Sequence, residues 1–94
     1  PHKPAIQDAA LVGMTDPRMG ERGCLYVTLV DGASFDMNEL RRYLGEQKMA
    51  RQYWPERLEV REELPRTPSG KIQKFKLREE AKIFGETGAG LSFN

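Results

Sequence analysis

The stretch "RLEVREELPRTPSGKIQKFKLREEAKIFG", residues 57–85, carries two different hydrophobic patterns on either side of a loop. Before the loop, Leu58 and Val60 alternate with charged side chains, which predicts a half-buried strand over residues 57–64. After the loop, apolar side chains recur at helical spacing, which predicts a helix over residues 75–84. The glycine that follows this segment predicts the end of the helix.

Three more elements are predicted upstream of this stretch. Residues 8–13 and 24–30 read as strands, with a surface loop rich in proline and glycine between them. Asp36 and Glu39 form a capping-box pattern that predicts a helix ending before Trp54. The order strand, strand, helix, strand, helix favours an α+β fold, a small two-layer domain with a sheet of about three strands and helices packed on it. Such a sheet buries little core, so we expect the domain to pack against a neighbouring domain that is absent from this chain.

Composition argues against several classes of protein. The chain has 94 residues, enough for one domain, and a formal net charge of +1, which argues against affinity of the whole molecule for nucleic acid or membranes. No apolar run approaches the roughly 20 residues of a membrane span. Cys24 is the single cysteine and His2 the single histidine, so we expect no intramolecular disulfide and no metal site. Without a signal-peptide pattern, the expected location is cytoplasmic. A start on Pro1 suggests a piece of a longer chain.

The loop at residues 65–71, "PRTPSGK", allows several interpretations. A phosphate-binding P-loop would begin with glycine and place a hydroxyl after the lysine, but Pro65 and Ile72 occupy those positions. A nucleic-acid patch would draw on a run of basic residues that no acid interrupts: Arg66, Lys71, Lys74, Lys76 and Arg78. These residues point in several directions around the predicted helix and only one aromatic residue lies among them, which disfavours that interpretation.

Two interpretations of the loop stay open on the residues alone. In the first, the loop simply connects a strand to a helix and its lysines lie in solvent. In the second, it presents one lysine to a ligand. Pro65 and Pro68 restrict the backbone, and Gly70 would let it pass close to another surface. Such stiffness around Lys71 favours the second interpretation.

The chain resembles the C-terminal domain of the acyl-adenylate-forming enzymes. This family includes AMP-forming acyl-CoA synthetases, adenylation domains of peptide synthetases and firefly-type luciferases. Three blocks carry the resemblance in consistent order over about residues 2–83: "LPRTPSGKI", "HKPAIQDAALVGMTDPRMGERGCLYVTL" and "QYWPERLEVREELPRTPSGKIQKFKLRE", the last of which contains the first. The resemblance implies that residues 1–84 form the mobile lid domain of such an enzyme and residues 85–94 a flexible tail. It also implies that the interdomain hinge and the N-terminal domain lie upstream of residue 1.

The resemblance further implies a two-step reaction. A carboxylic acid and ATP give an acyl-adenylate and pyrophosphate, and the thiol of coenzyme A then takes the acyl group and releases AMP. The implied partner is the enzyme's own N-terminal adenylation domain, which binds ATP, Mg²⁺ and the acid. Lys71 matches the lysine of the adenylation step, supported by the loop residues Pro65, Thr67, Pro68, Ser69 and Gly70. The fragment alone is expected to bind no cofactor and to be inactive.

Other expectations concern individual residues and the choice of function. Arg18 and Arg22 are candidates for coenzyme A contacts, and Glu21 for an interdomain ion pair. Lys71 is also a candidate site for a lysine acetyltransferase and deacetylase, because acylation would remove its charge. Tyr53 and Trp54 are expected to pack against the sheet or a helix. The alternatives are an adenylation domain of a peptide synthetase, a luciferase-like enzyme, or a free-standing anion- or protein-binding module.

Overall fold

The computed structural model describes residues 5–16 and 20–87, and the side chains of residues 5–14 and 22–84. Three strands, two α-helices and one short 3₁₀ helix follow one another in the order β1 (Ile6–Asp16), β2 (Gly20–Leu29), α1 (Met37–Glu46), the 3₁₀ helix (Arg51–Tyr53), β3 (Arg57–Arg61) and α2 (Lys74–Thr87). This order is the one that the hydrophobic patterns predict, and the α+β class is confirmed.

The sheet has the order β1-β2-β3 and mixes two kinds of pairing. β1 and β2 form an antiparallel hairpin, whereas β3 runs parallel to β2, with Cys24 opposite Arg57 and Thr28 opposite Arg61. Parallel neighbours need a long connection, and here α1 and the 3₁₀ helix supply it. The sheet therefore places the end of β3, and the loop that follows it, beside the central strand.

The hairpin of β1 and β2 is longer than predicted. The segment expected to be a surface loop instead continues the ladder as far as the pair of Asp16 with Gly20. Backbone pairing of neighbouring strands outweighs the weak strand preference of glycine. At Gly23 a side chain would crowd Pro55, because a Cβ there would lie 3.4 Å from the Pro55 Cα. This glycine lets the segment before β3 approach the sheet.

The core lies between the sheet and α2. Its buried members come from both strands of the hairpin and from the C-terminal part of the chain: Ala10, Val12, Met14, Cys24, Tyr26, Leu64, Leu77 and Ala81. Phe84 packs against this cluster, so the predicted apolar face of the helix is confirmed. β3 ends at Arg61, earlier than predicted, yet Leu64 beyond it is buried in the core.

Helix α2 continues through Thr87, so the predicted stop at Gly85 is wrong. A glycine inside a helix costs about 1 kcal/mol relative to alanine, which the packing of the preceding turns on the sheet can offset. Residues 88–94 of the predicted tail lie outside the described residues. The division between domain and tail stays a prediction.

Helix α1 begins with the predicted capping box. The Asp36 carboxylate accepts a hydrogen bond of 2.9 Å from the Glu39 N–H, and the Glu39 carboxylate accepts one of 3.1 Å from the Asp36 N–H. Leu40 and Leu44 are buried on one face of the helix. They line an open cavity together with Leu25 of the central strand.

The two aromatic residues before β3 are predicted to pack against the sheet or a helix. The Tyr53 side chain is 67% exposed, so its predicted packing is wrong. Trp54 is half-buried; its indole N–H donates a 2.9 Å hydrogen bond to the Met49 carbonyl, and the Arg51 guanidinium lies 5.1 Å from its ring centroid. These contacts are local and stabilise the connection to β3.

Among the described helices, none is both long enough and apolar enough to cross a membrane.

Candidate functional site

Residues 65–73 close into a short hairpin, here called the lysine hairpin. Arg66 and Ile72 pair as an antiparallel bridge, and the Gln73 N–H donates a 2.9 Å hydrogen bond to the Pro65 carbonyl. Inside this bridge, the Thr67 N–H donates to the Lys71 carbonyl at 2.8 Å. The loop is therefore a defined structure with Lys71 at the start of its returning arm.

The turn of the lysine hairpin depends on Gly70 and Thr67. Gly70 has a φ of +95°, in the region that residues with a side chain rarely adopt, and its N–H donates to the Thr67 carbonyl at 2.8 Å. A Cβ at Gly70 would meet no described atom of this chain within 4 Å, and close passage of another surface at this glycine stays a prediction. Its role is conformational. The Thr67 hydroxyl accepts a 3.1 Å hydrogen bond from the Lys71 N–H and lies 2.9 Å from the Ser69 hydroxyl.

The Lys71 side chain is exposed at this hairpin. Among the side chains that the structure describes, those of residues 5–14 and 22–84, no carboxylate forms an ion pair with its ammonium group. A lysine ammonium offers three hydrogen-bond donors on a long stem. The hairpin thus presents a cation that an anionic ligand can reach.

Arg66, the first residue of the basic run, is paired with a carboxylate of β1. The Arg66 guanidinium lies 2.7 Å from the Asp8 carboxylate of β1, and it also donates a hydrogen bond to the Gly70 carbonyl. Sequence reasoning missed this pair, because the two residues lie far apart in the chain. Arg66 is thus committed to the fold, which further weakens the nucleic-acid interpretation.

A charged network joins β3 to α2, the elements on either side of the lysine hairpin in the chain. The Arg61 guanidinium at the end of β3 lies 2.7 Å from a Glu80 oxygen and 2.7 Å from a Glu59 oxygen. The Tyr26 hydroxyl donates a 2.8 Å hydrogen bond to Glu80. β3 precedes the hairpin in the chain and α2 follows it. Because the network joins β3 to α2, it holds the two elements that flank the hairpin in place.

The electrostatics of this network follow from burial and pairing. Burial pushes the Glu80 pKa upward, but the hydrogen bonds from Arg61 and Tyr26 outweigh burial together and leave the pKa below its usual value of 4.5. Burial, followed by the hydrogen bond to Glu80, raises the pKa of Tyr26 far above its usual range. Tyr26 therefore stays a neutral donor and Glu80 a charged acceptor at neutral pH.

Arg57 belongs to the same face of β3. Its guanidinium pairs with Glu59 and stacks over the Phe84 ring, 3.9 Å from the centroid. One of its nitrogens, Nη1, is buried and has no hydrogen-bond partner among the described residues. The charged residues alternate along β3 and so share one face of the strand, from which Arg57 and Arg61 reach Phe84 and Glu80 of α2.

The residues predicted to contact coenzyme A or the partner domain are only partly described. Arg18 lies outside the described residues, as does the side chain of Glu21, whose backbone belongs to β2. Arg22 lies on β2 and forms a 2.8 Å ion pair with Glu56. The predicted contact of Arg22 with coenzyme A stays a prediction.

No second reactive centre accompanies the lysine hairpin in the described part of the chain. Cys24 is fully buried, and burial, followed by the nearby Glu59 carboxylate, raises the pKa of its thiol to about 12. It serves as a small core residue, as predicted. His2 lies outside the described residues. The described side chains of residues 5–14 and 22–84 include no group of three or more histidine, cysteine or carboxylate side chains that could hold a metal ion.

A comparison with protein families matches residues 2–71 to the AMP-binding enzyme C-terminal domain. This match covers the hairpin of β1 and β2, the crossover, β3 and the loop as far as Lys71. It supports the resemblance seen in the sequence blocks.

Among curated proteins, the chain is 45% identical over 78 residues to a medium-chain fatty-acid–CoA ligase of Escherichia coli (strain K12), covering 82% of the chain. It is 34% identical over 84 residues to a vibriobactin-specific 2,3-dihydroxybenzoate-AMP ligase of Vibrio cholerae serotype O1 (strain ATCC 39315 / El Tor Inaba N16961), covering 89% of the chain. The chain spans only 14% and 16% of the lengths of these relatives.

Among solved structures, the fold is similar to part of ATP-bound MatB from Rhodopseudomonas palustris, with a TM-score of 0.77 and 29% identity. The similarity covers 85% of this chain and 16% of that protein. The α+β arrangement described above is therefore also the fold of a small part of that much longer protein.

Proposed function

Because this chain belongs to the family of AMP-binding enzyme C-terminal domains, we propose that it is the lid domain of an AMP-forming acid–thiol ligase, with coenzyme A as the thiol. The observation that carries the proposal is the exposed Lys71 on a closed, stiff hairpin. The relative that is a fatty-acid–CoA ligase supports the reaction class. Family membership disfavours the alternative of a free-standing anion- or protein-binding module.

In the first step, a carboxylate oxygen attacks the α-phosphorus of ATP, a phosphorus–oxygen bond forms, and pyrophosphate leaves. Two anions must approach each other, and negative charge spreads over the phosphoryl oxygens. The Lys71 ammonium can neutralise part of this charge while it holds the attacking carboxylate. Removing one well-placed donor of this kind typically costs about 10²–10³ in rate. Lys71 acts here as a stabilising cation and not as a base.

In the second step, the thiol sulfur attacks the acyl carbon of the adenylate, the acyl–phosphate bond breaks, AMP leaves and the thiol proton is released. We expect the lid domain to reorient between the two steps, so that Lys71 serves only the first. The sites for ATP and the acid would lie on the N-terminal adenylation domain, and the 94-residue chain alone should therefore be inactive. The described residues offer no metal cluster, so magnesium would be held outside them.

The test separates the two half-reactions in the full-length enzyme. Lys71→Ala should abolish ATP–pyrophosphate exchange, measured across a panel of carboxylic acids, but should leave thioester formation from pre-made adenylate largely intact. Lys76→Ala is the matched control, because Lys76 is an exposed lysine on α2 outside the hairpin. Equal loss of both half-reactions in Lys71→Ala would overturn the assignment.

A second candidate is an enzyme that passes its adenylate to the thiol of a carrier protein, as in peptide synthetases. The support for this candidate is the relative named as a 2,3-dihydroxybenzoate-AMP ligase, because that name gives an adenylate and no coenzyme A. The two differ in the acceptor. Thioester formation with free coenzyme A supports the first candidate, and strict dependence on a carrier protein supports the second.

We also propose that acylation of Lys71 by a lysine acetyltransferase silences the enzyme and that a deacetylase restores it. The support is the exposure of Lys71 and the loss of its charge on acylation. Treatment with an acetyltransferase should yield acetyl-Lys71 by mass spectrometry and lower ATP–pyrophosphate exchange in proportion. Unmodified Lys71 after such treatment would count against the proposal.

A further inference from the structure

We propose that Asp8 and Arg66 are positioning residues for Lys71, holding the lysine hairpin in the orientation that adenylate formation needs. The inference rests on the proposed function and adds two residues to it. Neither residue touches the reacting atoms in this assignment. They act through the backbone of the hairpin.

The first step of the argument is what Arg66 holds. Its guanidinium donates to the Gly70 carbonyl, which is the oxygen of the peptide bond between Gly70 and Lys71. The nitrogen of that same peptide bond donates to the Thr67 hydroxyl at 3.1 Å. Both polar atoms of the peptide unit that precedes Lys71 are therefore held by side chains. This arrangement fixes the direction in which the Lys71 side chain leaves the backbone.

The second step is what holds Arg66. Its other terminal nitrogen lies 2.7 Å from the Asp8 carboxylate. Asp8 follows an irregularity in the ladder of β1 and β2, and its N–H donates a 3.1 Å hydrogen bond to the Thr28 hydroxyl. Thr28 is buried, with 4% of its surface exposed. The hairpin turn is thus tied through Arg66 and Asp8 to a buried residue of the central strand.

The third step is why arginine suits this place. A guanidinium carries five donors in a planar fork, so one group can satisfy a carboxylate and a carbonyl at fixed angles. A lysine at this position could reach one acceptor well but not both in the same geometry. The Lys71 side chain has a flexible four-carbon stem. Fixing the backbone from which it leaves reduces the orientational freedom that the side chain loses when it meets the substrate.

The pair should matter more for orientation than for stability. The Arg66 and Asp8 side chains are 38% and 36% exposed, and exposed ion pairs contribute only about 0–1 kcal/mol. The ion pair of Arg22 with Glu56 has a similar distance of 2.8 Å and exposures of 32% and 50%, but neither residue belongs to the lysine hairpin. Breaking it with Glu56→Gln provides the matched control.

The test uses the full-length enzyme with Arg66→Gln, Asp8→Asn, Arg66→Lys and Glu56→Gln. Arg66→Gln and Asp8→Asn should slow single-turnover adenylate formation by roughly tenfold or more, with the KM for ATP and thioester formation from pre-made adenylate unchanged. Arg66→Lys should recover part of the rate, and Glu56→Gln should leave adenylate formation at the wild-type rate.

The inference is overturned if Arg66→Gln and Asp8→Asn form adenylate as fast as Glu56→Gln. It is also overturned if they slow both half-reactions equally, which would indicate a general structural defect. Lys71→Ala, measured in parallel, separates this inference from the proposed function. Normal adenylate formation by Lys71→Ala refutes the proposed function, whereas its loss together with normal Arg66→Gln and Asp8→Asn refutes only the positioning role.

Discussion

The Tyr26 hydroxyl donates a hydrogen bond of 2.8 Å to the Glu80 carboxylate, across 54 positions of the chain. Tyr26 is fully buried in the central strand, and Glu80 lies on the helix that leaves the lysine hairpin. The bond is the polar end of an otherwise apolar contact between the sheet and α2.

Tyr26→Phe should lower the free energy of unfolding by about 1–2 kcal/mol, because it removes a donor to a charged acceptor while keeping the ring. In a domain of this size, each kcal/mol shifts the melting temperature by about 4–8 °C. Thermal unfolding followed by circular dichroism measures the shift. Tyr53→Phe, at a tyrosine that is 67% exposed, should melt as the wild type does. Equal melting temperatures for Tyr26→Phe and wild type would show that the bond contributes nothing.

The contribution of Glu80 should depend on pH. Its folded-state pKa lies below the usual 4.5, so its stabilisation is present above that value and is lost as the pH falls through the lower folded pKa. Glu80→Gln should therefore be less stable than wild type at neutral pH, and the difference should shrink on acidification below pH 4.5. Urea unfolding at a series of pH values checks this, and a gap that is constant with pH would contradict it.

Two glycine-to-alanine changes should act in opposite directions. Gly70 has a φ of +95°, so Gly70→Ala is strained even though its Cβ would meet no atom, and it should destabilise the protein by about 1–2 kcal/mol. Gly45 lies within α1, where a Cβ also meets nothing, so Gly45→Ala should stabilise by about 0.5–1 kcal/mol. Denaturant unfolding of both variants measures the two changes in the free energy of unfolding. Equal effects would mean that the backbone of the turn is not strained by a side chain.

Cys24 should resist alkylation in the folded protein. Its thiol is fully buried and has a pKa of about 12, so at pH 8 only about one molecule in 10⁴ carries the reactive thiolate. Mass spectrometry after iodoacetamide treatment should find little labelling in buffer and complete labelling in denaturant. Rapid, complete labelling of the native protein would show that the core around Cys24 opens readily.

Local signals in the sequence predicted the elements well where a short stretch decides the outcome. Asp36 and Glu39 are three residues apart and form their capping box without help from the rest of the chain. The apolar positions of α2 from Leu77 to Phe84 likewise identify its buried face. Lys71 was singled out from the stiff loop around it, and its catalytic role stays a prediction.

Features that depend on distant partners were missed. The ladder of the first hairpin runs into a glycine-rich segment because the opposite strand supplies the hydrogen bonds. The Arg66 pair with Asp8 joins residues that no local pattern connects. The Glu80 network also needs α2 to pack on the sheet face to which Arg61 of β3 points, which the order of elements alone does not determine.

The packing of α2 on the hairpin of β1 and β2 also affects how the chain acquires its structure during translation. The contact between Tyr26 and Leu77 spans 51 positions, so the first hairpin has no helix to cover its apolar face until nearly the whole domain has left the ribosome. Contacts between such distant positions slow folding, because a long loop must close before they form. A nascent chain that stalls before α2 would expose this face, and we expect such a stalled chain to be held by chaperones or degraded.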